Sequence, residues 1–162
     1  MPLPPAGDRP AIRGSLLGAL LALGVNLGIQ LFGVGEEPAG AGYPGPVNAV
    51  IYQIVPFVWI GLFAAIGTAW FLLRAGGRSS AVPAAAAALL LANCALYPVY
   101  TLGFSSRELG LAGNGLTAVL AAFAIGAALE RCPRAALLMV PVVIWVALAS
   151  IGLVAVMTGR TF

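Results

Sequence analysis

The sequence predicts an all-α integral membrane protein: a single domain over residues 1–162, built as a bundle of five transmembrane helices. Two observations carry that prediction and a third orients it. The first is that all thirteen charged side chains, eight Arg and five Asp or Glu, fall outside five long apolar stretches. The second is length, because the charge-free runs 14–35, 38–73, 79–106, 109–129 and 135–159 each exceed the roughly 18 apolar residues that suffice to cross a bilayer as a helix. The third is the sorting of arginines by loop. Arg9, Arg13, Arg74, Arg78, Arg131 and Arg134 fall on one side, and Arg107 and Arg160 on the other. Cytoplasmic segments beside spans collect Lys and Arg, so the split predicts a cytoplasmic N-terminus and an exported C-terminus.

Composition excludes the competing classes. At 61% hydrophobic and 8% charged, with a mean hydropathy of +1.03, the chain lies far from soluble domains, in which about a quarter of residues are charged. Five spans consume nearly the whole length and leave no room for a separate soluble domain. The net charge of +3 comes from single arginines beside spans, with no basic cluster or stripe, so nucleic acid is not a predicted partner. The apolar stretch of the first span exceeds the roughly 7–15 residues of a secretory signal and is read as a retained anchor. Cys94 within a span and Cys132 in a loop suggest no disulfide framework and are read as free thiols.

The first span, 16–34, carries Gly14-x3-Gly18 and Gly24-x3-Gly28, a small-residue spacing that lets helix backbones approach closely in lipid. Asn26 and Gln30, four apart, share a face expected to point inward. The first loop, 35–46, reads GEEPAGAGYPGP; its prolines and glycines exclude a regular helix, and it is placed as a cover over the exported mouth of the bundle, or as a hairpin without a role. The second span, 51–73, contains Pro56, an aromatic pair Trp59 and Phe63 on one face, and Trp70 and Phe71 beside Arg74 at the level of an interfacial belt.

The third span, 81–104, follows Pro83 with a five-alanine run suited to close packing and gathers Asn93, Tyr97, Pro98 and Tyr100 in its exported half. Pro98 has no N–H, so the carbonyl of Cys94 loses its helical partner. The fourth span, 109–129, has only Asn114 and Thr117 as polar features and reads as a packing helix. The fifth, 135–157, places Pro141 and Trp145 four apart.

Three pieces resemble the translocator protein family, also called the tryptophan-rich sensory or TspO/MBR family, as a divergent member. The family's W-T-x-L-Y is matched by Trp59-Ile60-Gly61-Leu62-Phe63, with Phe for Tyr. Its N-x-x-W-x-P-x-F is matched by Asn93 through Tyr100, with the aromatic one position later. Its L-L-x-P-Y-x-x-W-x-x-x-A is matched by Leu137 through Trp145 to Ala149, with one extra residue before Pro141. Five spans, a long first loop and a short C-terminus agree. The family's Pro-Pro-x-Trp element is absent; Tyr43-Pro44-Gly45-Pro46 stands nearby, and Leu153 replaces the asparagine that ends the family's fifth helix.

Chemistry narrows the function further. Catalysis needs a nucleophile with an acid or base, or a metal. With no histidine and no intramembrane carboxylate, the spans offer no such constellation, so no enzyme, no catalytic residue and no metal site is predicted. The same absence argues against an ion or proton pathway and denies a haem its commonest axial ligand.

What remains is apolar recognition. Trp59, Phe63, Asn93, Tyr97, Pro98, Tyr100, Pro141 and Trp145 are predicted to line a site with flat aromatic walls and one orienting amide, suited to a planar hydrophobic ligand. The resemblance implies a tetrapyrrole such as a porphyrin, or a sterol-like lipid, as the ligand, with no firmly implied cofactor, and a homodimer. Two alternatives stand beside a binding protein or regulator. One is a non-catalytic accessory subunit packed against a larger bioenergetic or photosynthetic membrane complex, and the other a transporter of a lipophilic compound. The expected location is a bacterial cytoplasmic (inner) membrane, with the lipid bilayer as the constant partner.

Overall fold

A computed structural model describes residues 9–33, 46–102 and 106–159, and among these there are helices and turns but no strand. Helix α1 is Arg9–Leu31, α2 Pro46–Ala75, α3 Ala81–Leu102, α4 Arg107–Leu129 and α5 Pro133–Met157, with a 3₁₀ turn, Gly77–Ser80, between α2 and α3. All five α-helices contain a segment long and apolar enough to cross a membrane.

The helices overrun the predicted spans at their polar ends. Helix α1 begins at Arg9 rather than 16, α2 at Pro46 rather than 51, and α5 at Pro133 rather than 135. Loss of charge marks where hydrocarbon begins, whereas the backbone ladder continues into the interface. Pro46 and Pro133 open their helices because the first N–H of a helix has no intrahelical acceptor to lose. Ser106 caps α4, its hydroxyl accepting from the Leu109 N–H at 3.2 Å. Past the ends of α1 and α2, Gly33 and Gly77 take φ of 61° and 70°, the left-handed conformation that stops a helix. The predicted first loop, apart from Pro46, lies outside the described residues, and so does its expected role as a cover.

Helix α2 is the hub. It packs against α1, α3 and α5, while α4 closes the ring by packing against α3 and α5. The α1–α2 contact is backbone against backbone: a Cβ on Gly14 would lie 2.5 Å from the Gly67 carbonyl oxygen, and one on Gly18 would strike the Phe63 carbonyl. Thr68 donates its hydroxyl to the Ala64 carbonyl at 2.7 Å, so the Ser15 hydroxyl, 2.7 Å away, donates to Thr68 across the contact. The close-approach spacing at Gly14 and Gly18 is therefore used within the chain.

The second glycine pair and the polar face of α1 behave differently. A Cβ at Gly24 or Gly28 meets nothing within 4 Å. Asn26 is half-buried and Gln30 exposed, contrary to the expectation of an inward face. The reason is helical drift: at 3.6 residues per turn each step of four advances about 40° past a full turn. The stripe that faces α2 at Gly14, Gly18 and Ala22 has rotated away by Gln30.

The apolar core occupies one half of the bundle. Ile66, Ala69 and Leu73 of α2 meet Ala87 and Leu90 of α3, Ala124 and Ala128 of α4, and Ala135, Met139 and Val142 of α5, all fully buried. Buried alanine on all four helices lets them approach closely, which is the main source of helix association where lipid is as apolar as the core. On the outside, Leu20, Phe57, Val82, Val119, Phe123, Leu137 and Ile151 are exposed. An apolar exterior around an alanine-rich interior is the arrangement expected of an integral membrane protein.

Candidate functional site

In the other half of the bundle, where α2 begins, α3 ends and α4 begins, aromatic and polar side chains take over from alanine. Trp59 and Phe63 lie one turn apart on α2, their rings edge to face with centroids 5.9 Å apart. Trp59 reaches across to Tyr97 of α3 at 5.8 Å, and Tyr97 meets Tyr100 edge on at 5.6 Å. The four rings form a continuous chain from α2 to α3. Phe63 is buried and the other three are half-buried.

Beneath the rings lies a set of hydrogen bonds that ties α3 to α4. The Asn93 Nδ2 donates to Thr117 Oγ1 at 2.9 Å, and the Thr117 hydroxyl donates to the Gly113 carbonyl at 2.8 Å. The Tyr100 hydroxyl donates to Asn93 Oδ1 at 3.2 Å. The Tyr97 hydroxyl donates to Asn114 Oδ1 at 2.7 Å, with the Gly110 carbonyl 3.5 Å away. Both Asn93 and Asn114 sit deep, at 9% and 3% exposure, and Thr117 at 0%. An unpaired polar group costs most where no water reaches, which explains why these side chains pair across the helices. Among the described residues no side-chain nitrogen or oxygen is sealed away without a partner.

Of the eight residues singled out from the sequence, the structure brings five into this cluster: Trp59, Phe63, Asn93, Tyr97 and Tyr100. Pro98 follows Tyr97 within α3, which continues to Leu102. Trp145 is half-buried against the core from α5, and among the described residues its indole has no aromatic partner. Pro141, one turn before it, is exposed, while Met139 and Val142 on either side of it are the buried positions of that turn. Pro141 stands apart from the aromatic chain.

Helix α4 contributes more than its reading as a packing helix allowed. Asn114 and Thr117 are three apart, both buried, and pair with Tyr97 and Asn93 of α3. The available signal was that spacing: two polar side chains on one face of an otherwise apolar span place that face toward a polar partner. At the opposite end of the bundle, Trp70 and Phe71 make an edge-to-face pair at 4.9 Å, and the Arg74 guanidinium lies over the Trp70 ring at 5.2 Å. That is the geometry of an interfacial anchor. Cys94 is buried, Cys132 half-buried, and both are free thiols.

A model of the TspO/MBR family matches residues 44–157. No curated protein and no solved structure matches the chain. The match takes in the whole of α2, α3, α4 and α5, and so contains every residue of the aromatic and amide cluster.

Proposed function

We propose that this chain, which belongs to the TspO/MBR family, binds a planar hydrophobic ligand, a tetrapyrrole or sterol-like lipid, against the rings of Trp59, Phe63, Tyr97 and Tyr100. The observation that carries the reading is the change of character along the bundle. One half is closed by alanine and fully buried aliphatic residues, and the other presents four linked aromatic rings over two buried amides. Flat rings offer a large apolar surface at small entropic cost, and a few fixed polar groups set orientation. Trp145, half-buried on α5, which packs against α2, adds a further wall.

The protein acts as a binding protein or regulator rather than an enzyme, for the spans hold no histidine and no carboxylate to drive a reaction. The bundle is inserted in a bacterial cytoplasmic membrane with its N-terminus inside, which puts the aromatic half toward the exported face.

The test is fluorescence of the purified protein on addition of protoporphyrin IX. Saturable quenching of tryptophan emission is expected, weakened by Trp59→Leu and by Trp145→Leu. Quenching that keeps its midpoint in both variants sinks the site. Size in mild detergent separates this role from that of an accessory subunit, since a free monomer or dimer favours the binding protein and a stable large assembly favours the subunit.

A further inference from the structure

The two buried asparagines of the cluster are not equivalent. Asn93 is committed at both ends, Oδ1 accepting from Tyr100 at 3.2 Å and Nδ2 donating to Thr117 at 2.9 Å. Asn114 is committed at one end only: Oδ1 accepts from Tyr97 at 2.7 Å, and among the described residues Nδ2 has no hydrogen-bond partner. At 3% exposure this is a donor group more than nine-tenths buried. Since no buried side-chain nitrogen is sealed without a partner, Nδ2 opens onto reachable space. Oδ1 and Nδ2 share one rigid amide plane, so that space lies beside the Tyr97 hydroxyl, and the Tyr97 ring packs at a tilt of 38° against Trp59 with centroids 5.8 Å apart. With Oδ1 turned to the Tyr97 hydroxyl, the pole left over is the amide donor.

We infer that Asn114 is a specificity-determining residue whose side-chain amide donates to an uncharged acceptor oxygen on the edge of a planar ligand lying against Trp59 and Tyr97. The inference rests on the ligand-binding reading and adds to it the chemical class of the ligand: a flat aromatic or polycyclic compound bearing a carbonyl. A neutral acceptor is required by the surroundings. No Asp, Glu, Lys, Arg or His lies between Leu109 and Leu129, and a carboxylate buried there without a cation would lose far more in hydration than one amide returns. The nearest cation along the helix, Arg107, is exposed two turns away, about 10 Å along the axis. An anionic group on the ligand is drawn to that mouth, not to Asn114.

A site that hydrogen-bonds its ligand rejects the analogue lacking the group, because the buried amide is then left unpaired. 9-Fluorenone and fluorene are matched in shape and differ in whether a carbonyl or a methylene closes the central ring. In lipid nanodiscs, with empty discs subtracted, calorimetry is expected to show fluorenone binding about three- to tenfold tighter than fluorene to the unaltered protein. In Asn114→Leu the ratio is expected to fall to about one, with fluorene binding retained. A second readout needs no variant: the chain has four asparagines, so with 15N-asparagine the assigned Asn114 side-chain amide is expected to shift with fluorenone and not with fluorene.

A preference that survives Asn114→Leu, an Asn114 amide unmoved by fluorenone, or absence of fluorenone binding to protein that still binds porphyrin overturns the inference and leaves the ligand-binding reading standing. Failure of all three compounds to bind the unaltered protein removes that reading and the inference together.

Discussion

The Tyr97 hydroxyl donates to Asn114 Oδ1 at 2.7 Å while the ring of the same residue packs at a tilt of 38° against Trp59, centroids 5.8 Å apart. One side chain thus joins α3 to α4 by its polar tip and to α2 by its apolar body. The two functions separate by substitution. Tyr97→Phe keeps the ring and removes the hydrogen bond, and is expected to lower stability by about 0.5–1.5 kcal/mol. Tyr97→Leu loses the ring contacts as well and is expected to cost more, by about another 0.5–1.5 kcal/mol. Unfolding followed by circular dichroism in detergent ranks the two variants. Equal losses would place the whole contribution of Tyr97 in its hydroxyl.

Asn93 and Thr117 form the deepest polar pair, and Thr117 also serves the Gly113 carbonyl. Thr117→Val and Asn93→Leu are each expected to destabilise, because each strands a partner amide or hydroxyl in an environment without water. The pair itself is worth less than either loss, since hydrogen bonds between membrane helices average about 0.6 kcal/mol and reach about 1.7. A double-mutant cycle on unfolding free energy is expected to return a coupling in that range. A coupling near zero would mean that the two side chains do not meet in the folded bundle.

What was legible in the sequence follows from how each feature is encoded. The spans were readable because the penalty for charge in hydrocarbon acts on every residue of a stretch, so five charge-free runs report five helices one by one. Trp59 and Phe63 were readable as a pair because one turn separates them on a single helix. The hydrogen-bond partners that Tyr97 and Asn93 find on α4 are not, because nothing in the apolar pattern of α4 says which neighbour Asn114 faces. Spacing groups Pro141 with Trp145, yet a repeat of four drifts around the helix, and Pro141 falls on the exposed side. The same drift turns Gln30 outward.

The glycines of α1 make the same geometric point testable. Gly18 is buried with its Cβ position against the Phe63 carbonyl, whereas a Cβ at Gly28 meets nothing within 4 Å. Gly18→Val is expected to push α1 off α2, break the Ser15–Thr68 hydrogen bond and cost a few kcal/mol, about 1–3 from overpacking alone. Gly28→Ala is expected to be neutral or slightly stabilising, because alanine is about 1 kcal/mol the better helix former. Disulfide trapping between cysteines placed at Ala11 and Thr68, whose backbone carbonyl and hydroxyl oxygens lie 3.4 Å apart, reads the contact directly. It is expected to form in the parent and in Gly28→Ala and to fail in Gly18→Val.

Orientation can be read from the native cysteines. Cys132 lies half-buried in the connection between α4 and α5, beside Arg131 and Arg134, while Cys94 is buried at 1% exposure within α3. A membrane-impermeant maleimide therefore has one accessible target, and Cys132→Ser supplies the blank. The arginine-rich end, which also holds Arg74 and Arg78, is expected inside because positively charged flanks are retained on the cytoplasmic side. Intact spheroplasts should resist labelling, and inverted vesicles should label at Cys132. Labelling of intact cells that disappears in Cys132→Ser would reverse the bundle, turning the rings of Trp59 and Tyr97 toward the cytoplasmic half of the membrane.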